Sequence, residues 1–167
     1  VNAFGTEQQK QDWLVGLATG EKLGAFCLTE PQAGSDAAAL KTKAVKTEQG
    51  WRLNGTKQFI TNGSICDVAI VFAVTDPALG KKGMSAFLVP ANTPGFEVTN
   101  VEKKLGQHAS DTAHLFFNDV ELPKKLITSY NKEIEFKQEM LGSAEIVTEN
   151  LRLIERFFYQ LRNVFKR

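Results

Sequence analysis

Between residues 41 and 122 the hydrophobic positions fall into short runs of β-branched and aromatic residues, separated by turn chemistry. That pattern predicts an all-β sandwich or barrel. Glu48-Gln49-Gly50, Asn62-Gly63, Asp76-Pro77 on to Gly83, and Asn92-Thr93-Pro94-Gly95 supply residues that preset φ or tolerate positive φ. Strands are predicted over 67–74, 84–89, 96–101 and 113–117, with a further apolar strand over 25–28, and the short connections imply antiparallel pairing. Residues 68–74 are apolar throughout rather than alternating, the pattern of a central strand covered on both faces.

The flanks have a different period. Residues 6–17 read as a short helix with Thr6 as N-cap, Gln9 three positions on and Gly20 just past the end. Toward the C-terminus Met140, Ala144, Val147, Leu151, Ile154, Phe158, Leu161 and Phe165 recur at helical spacing, and Ile146, Leu153, Phe157 and Val164 widen that face. All five prolines and twelve of the thirteen glycines precede residue 127, which sets a boundary near Leu126. The chain therefore divides into the end of an N-terminal helical segment (1–20), a β domain (21–126) and a helical tail (127–167).

Composition narrows the partners. Twenty basic against nineteen acidic residues give a net charge of +1, too balanced for nucleic acid or an anionic membrane to be chosen by bulk electrostatics. No run approaches the ~20 apolar residues of a membrane span. The first residues carry no signal or transit pattern and no initiating Met, so the sequence reads as an internal piece of something longer. Cys27 and Cys66, both in apolar contexts, are expected to be reduced buried thiols, which points to a reducing compartment.

Two segments carry candidate chemistry. In the first, the strand 25–28 runs through Thr29 and Glu30 into a turn of Pro31, Gln32, Ala33, Gly34, Ser35 and Asp36, whose small residues let a ligand approach backbone N–H groups. A Ser or Asp opening the Ala-rich segment that follows would aim a helical turn at a phosphate. The second segment, Asn54 to Gly63, is a polar strand in which Phe59 offers a stacking surface and Thr61 a hydroxyl, closed by an Asn-Gly turn. Taken singly, the first is also an ordinary capped strand-to-turn junction, and the second a hairpin with a cross-strand aromatic.

Their combination and spacing resemble the acyl-CoA dehydrogenase family of flavoproteins. The family's first signature matches Cys27 through Ala39 at every position, with Gly20 to Phe26 as its approach. Leu53-Asn54-Gly55-Thr56-Lys57 with Ile60-Thr61-Asn62-Gly63 is similar to the second flavin segment. Lys104-Leu105-Gly106, Ser110-Asp111-Thr112, Phe117-Asn118-Asp119-Val120 and Leu122-Pro123 resemble the exit of the barrel. The likeness runs from about residue 5 to residue 124. It implies a mainly β fold, the antiparallel β-barrel of the family's middle domain, and FAD as cofactor.

By position, the resemblance implies that Phe26, Leu28 and Thr29 line the flavin ring and that Gly34 and Ser35 form the turn meeting cofactor and CoA thioester, with Ser35 as substrate contact. It places Phe59 on the isoalloxazine and Thr61 at its N5 edge. Phe59 stands where several members carry Trp, and His108 where many carry Arg; neither His108 nor His114 is given a role. Glu30 is expected to orient backbone rather than act as a base.

The implied parent reaction is FAD-dependent α,β-dehydrogenation of an acyl-CoA in fatty acid metabolism, with an electron-transfer flavoprotein as acceptor, a homo-oligomeric assembly, and a bacterial cytoplasm or mitochondrial matrix as compartment. The family's catalytic carboxylate belongs to a C-terminal helical domain that the tail does not match, and the glutamates of the tail read as a solvated face. The isolated chain is thus expected to be a catalytically inactive fragment. Two alternatives stand beside this: a non-catalytic scaffold or self-association module built on the barrel, and a flavoprotein acting on something other than a CoA thioester.

Overall fold

A computed structural model describes residues 1–123; the boundary near Leu126 and the amphipathic stripe from Met140 to Phe165 lie outside the described residues. The N-terminal helix begins as expected. The Thr6 hydroxyl accepts from the Gln9 N–H at 3.2 Å while the Gln9 side chain accepts from the Thr6 N–H at 2.9 Å, a reciprocal capping box. Helix α1 (Glu7–Gln9) passes through a π-helical turn (Lys10–Leu14) into α2 (Val15–Thr19), two residues longer than the sequence pattern marks, and Gly20 ends it in the left-handed conformation at φ 78°.

The rest of the described residues form one curled sheet of seven strands: β1 (Gly24–Cys27), β2 (Lys43–Lys46), β3 (Gly50–Thr61), β4 (Val68–Val74), β5 (Met84–Pro90), β6 (Phe96–Val101) and β7 (Thr112–Pro123). Its order is β1-β4-β2-β3-β7-β6, with β5 on the free edge of β4. Four of the six pairings are antiparallel, but β1 and, by a single bridge, β2 lie parallel to β4. The inference from short connections fails there because forty residues, 28–67, separate the end of β1 at Cys27 from the start of β4 at Val68, and a connection that long imposes no direction.

Strand β4 is central, as its apolar run predicts, though its faces differ. Ala69, Val71 and Ala73 point into the core with no exposed surface, whereas Ile70, Phe72 and Val74 are only half-buried, Phe72 under the ring of Phe26. The core also takes Leu53, Ile60, Phe87, Val89, Ala113, Leu115, Phe117, Val120 and Leu122. Each large side chain fully withdrawn from water there contributes about 1.5–3 kcal/mol. Trp51 meets Phe87 edge-on at 5.6 Å and Phe96 meets Phe117 at 5.3 Å, closing the two ends of the core.

Strand β7 does not stop at residue 117. Asn118 and Asp119, past the predicted end of the strand, form a bulge in which β7 spends two residues against Asn54 alone, and the strand resumes at Val120. Asp119 takes φ 48°, and the Asn54 side chain closes the gap: its amide donates to the Asp119 carboxylate and its carbonyl accepts from the Asp119 N–H, both at 2.9 Å.

Candidate functional site

The two candidate segments lie side by side. Lys57 Nζ donates to the Leu28 carbonyl at 3.1 Å, the Gln58 N–H to the Thr29 carbonyl at 2.9 Å, and the Asn62 amide to the Gly24 carbonyl at 3.3 Å. These three bonds tie residues 57–62 of the second segment to residues 24–29 of the first. The Asn-Gly turn is therefore no hairpin: β3 pairs with β2 and β7, and Asn62 turns the chain toward β4 at φ 60°.

A bulge makes this seam. In the ladder of β3 with β7, Lys57 pairs with Leu115 and Ile60 with Ala113, leaving Gln58 and Phe59 opposite the single residue His114. The extra residue shifts the side-chain parity by one. Leu53 and Lys57 point inward, and unbroken alternation would send Phe59 inward too; instead Ile60 is buried and Phe59 is 56% exposed, at φ 57°. A bulky side chain held in the left-handed region carries strain of about 1 kcal/mol or more, the kind of cost that concentrates at functional sites. The Gln58 N–H, released from the β7 ladder, is the one that bonds Thr29.

Beneath the seam sits a buried ion pair. Lys57 and Glu30 side chains are 0% and 2% exposed, with Nζ 2.8 Å from Oε1. Glu30 also accepts from the N–H groups of Lys41 (2.6 Å) and Thr42 (3.0 Å) and from the Gln32 amide (2.6 Å). Burial pushes its carboxyl pKa up, but the donors, Lys57 first, outweigh burial and hold it below the ordinary value. Burial dominates for Lys57, pulling its pKa below the ordinary lysine value despite the partial offset from Glu30. Glu30 orients backbone, as expected, and its oxygens are fully engaged. Burial likewise pushes the Cys27 thiol up to about 12; Cys27 and Cys66 are buried and free of disulfide, as the sequence predicts.

The turn after β1 is tight: Glu30 and Ala33 exchange N–H···O bonds of 3.0 Å around Pro31 and Gln32. Beyond it Gly34 and Ser35 are exposed, nothing lies within 4 Å of where a Gly34 side chain would stand, and among the described residues neither N–H has a partner. The Ala-rich segment is one 3-10 turn (Ala37–Ala39) whose Ala38 N–H is taken by the Asp36 carboxylate at 3.1 Å, so it aims no helix terminus at a phosphate.

Phe26 (56% exposed, its ring tilted against that of Phe72 at 5.1 Å), Leu28, Thr29, Phe59 and Thr61 are thus brought along one seam, with Gly34 and Ser35 on the loop leaving it. The hydroxyls of Thr29, Ser35 and Thr61 have no hydrogen-bond partner among the described residues. Exposed aromatic surface beside unpaired hydroxyls and N–H groups fits a planar heterocycle with polar edges, as a flavin is. Among the described residues no group of His, Cys, Asp and Glu could hold a metal ion, and no helix is long and apolar enough to cross a membrane.

The sequence marks neither Lys57 nor Gln58 as a site residue and gives His114 no role. A lysine sharing the inward parity of Leu53 was the available signal for Lys57, since a buried ammonium requires a carboxylate. His108 turns back on its own loop, its Nε2 2.6 Å from the Lys104 carbonyl.

Residues 25–120 match the family model described as acyl-CoA dehydrogenase, middle domain. The short-chain specific acyl-CoA dehydrogenase of Clostridium acetobutylicum is 41% identical over 169 aligned residues, covering 99% of this chain and 45% of the relative. Among solved structures, one described as the electron transferring flavoprotein of Acidaminococcus fermentans superimposes with a TM-score of 0.74 at 48% identity, over 75% of this chain and 33% of that one. A glutaryl-CoA dehydrogenase from Mycobacterium smegmatis in complex with FADH2 superimposes at 0.69 and 44%, over 75% and 31%. The chain spans less than half the length of each.

Proposed function

Because this chain belongs to the acyl-CoA dehydrogenase family, we propose that its sheet is the flavin-contacting half-site of an FAD-dependent enzyme that dehydrogenates an acyl-CoA between its α and β carbons. The observation carrying this is the seam itself: two exposed aromatic rings and two unpaired threonine hydroxyls brought together by three cross-segment hydrogen bonds. When bound, FAD supplies the acceptor for the β hydride. The residues that would hold it are Phe59, whose ring would pack on the isoalloxazine, Thr61, whose hydroxyl would serve its N5 edge, and Phe26, Leu28 and Thr29, which would line the remainder. Gly34 and Ser35 offer N–H groups and a hydroxyl to cofactor and thioester, with Ser35 as the substrate contact.

The α proton requires a carboxylate base. Glu30 is unsuited because the Lys57 pair and its backbone donors occupy it, and by likeness to the family the base would come from outside the described residues. An acyl-CoA substrate, an electron-transferring flavoprotein as acceptor, a homo-oligomeric assembly and a bacterial cytoplasm or mitochondrial matrix complete the proposal, by likeness to the relatives.

Titrating the purified chain with FAD, followed by flavin absorbance and fluorescence quenching, tests it. Saturable binding is expected, weakened about two- to tenfold by Thr61→Ala through the lost hydrogen bond. A folded chain that binds no FAD at several hundred micromolar would overturn the reading and leave the scaffold alternative.

A further inference from the structure

We propose that His114, held by Glu102, is a positioning residue for Phe59 and so for the flavin ring; the inference rests on the function proposed above. Three observations converge on this histidine. Its ring meets that of Phe59 edge-on, with centroids 5.7 Å apart and planes at 89°. It is also the residue at which the ladders on both sides of β7 break. On the β3 side it stands alone against Gln58 and Phe59, and on the β6 side an extra residue, Thr99, falls between the pairs Val98 with Leu115 and Asn100 with His114. The Thr99 hydroxyl donates to the His114 carbonyl at 3.3 Å, fixing the backbone where the ladder is interrupted.

Finally, Nε2 of His114 lies 2.5 Å from Oε1 of Glu102. A carboxylate only accepts, so the proton of this hydrogen bond sits on Nε2 and the ring orientation is set. Glu102 is itself anchored across β7, its N–H donating to the Thr112 carbonyl at 2.8 Å.

Phe59 needs such a support. Its backbone sits in the left-handed region and its side chain projects from the sheet, and its ring contact among the described residues is with His114. An aromatic ring with an edge or face blocked by a fixed imidazole has fewer orientations to lose when a flatter ring packs on it, which favours binding through preorganisation. Glu102, His114 and Phe59 thus form a relay from the end of β6 through β7 to the bulge of β3, in which only Phe59 touches the ligand.

The test is a double-mutant cycle in the full 167-residue chain, read as FAD affinity and as the position of the bound flavin's absorbance bands. His114→Ala is expected to weaken FAD about two- to tenfold, the range of an edge-to-face aromatic contact, and to move the bands. In a Phe59→Leu background the same change should have no further effect on either. Glu102→Ala, which leaves the imidazole and removes its partner, should reproduce part of the His114→Ala effect, and Glu102→Gln, which keeps an acceptor, should restore it. Should His114→Ala fail to fold, the Glu102 variants and Phe59→Leu complete the cycle. Unchanged affinity and bands, or effects that multiply independently in the double variant, would overturn the relay while leaving the flavin reading in place. No FAD binding by the unaltered folded chain would overturn both.

Discussion

The ladder between β3 and β7 is interrupted twice within a few residues, and the two interruptions are built to opposite ends. At Asn54 against Asn118 and Asp119, the extra residue lies on β7 and the Asn54 side chain satisfies both the backbone N–H and the carboxylate of Asp119. The Asp119 N–H is thus reabsorbed within the bulge, and the Asn118 N–H is taken by the Gly95 carbonyl at 2.9 Å, just before β6. At Gln58 and Phe59 against His114, the extra residue lies on β3, the freed N–H reaches across to Thr29, and an aromatic ring is turned outward. The same defect, one added residue, serves in the first case to bend a strand and continue it, and in the second to join two distant segments and present a surface. A bulge is a site candidate by what its freed groups do, not by its presence.

The buried pair under the open bulge gives the sharpest way to break the comparison. Lys57→Met leaves the Glu30 carboxylate buried without its ammonium, and about 3–5 kcal/mol of stability should be lost in denaturant unfolding. Glu30 has a lowered pKa in the folded chain, so its contribution is fully present above the ordinary carboxylate range and disappears as pH falls through the lowered value. Unfolding free energy of the unaltered chain should therefore fall in acid, and Glu30→Gln should flatten that limb.

Next in size is Gly55→Ala beside the closed bulge. A Cβ there would lie 2.6 Å from the Thr42 Cα, a backbone atom that cannot swing away, and overpacking of this kind costs about 1–3 kcal/mol. Thermal or denaturant unfolding measures it, and FAD affinity measured where the variant remains folded should be unaffected. Phe59→Gly at the open bulge should do the reverse, weakening FAD about tenfold or more by removing the stacking surface while changing stability by no more than about 1 kcal/mol, since glycine relieves the left-handed backbone as it loses the ring. Smallest is Asn54→Ala, for which about 1 kcal/mol of stability should be lost with its exposed hydrogen bonds, and no FAD affinity.

Much of this was legible from the chain. The strand runs and the helix cap at Thr6 and Gly20 follow from period and turn chemistry, whereas the two candidate segments are ambiguous singly and stand out only through the family resemblance. Where the legible part ends, parity is the reason. Residues 113–117 read as a strand, and only the partner strand shows that Asn118 and Asp119 are a bulge within a longer one. Strict alternation from Leu53 and Lys57 would bury Phe59; the family likeness, not the pattern, turned it outward. His114 was passed over because a histidine in a strand announces nothing until the ladders on both sides are seen to break against it. The parallel placement of β1 against β4 is a long-range pairing that no local signal encodes.

The measurement that bears most directly on the account is made on two variants side by side, Phe59→Gly and Asn54→Ala, each with its unfolding free energy and its FAD affinity. A crossing is expected: Phe59→Gly keeps its stability and loses FAD, while Asn54→Ala loses stability and keeps FAD. If the two quantities instead fall together in both variants, the bulges do not differ in kind and the open one is no more than a second bend in the sheet.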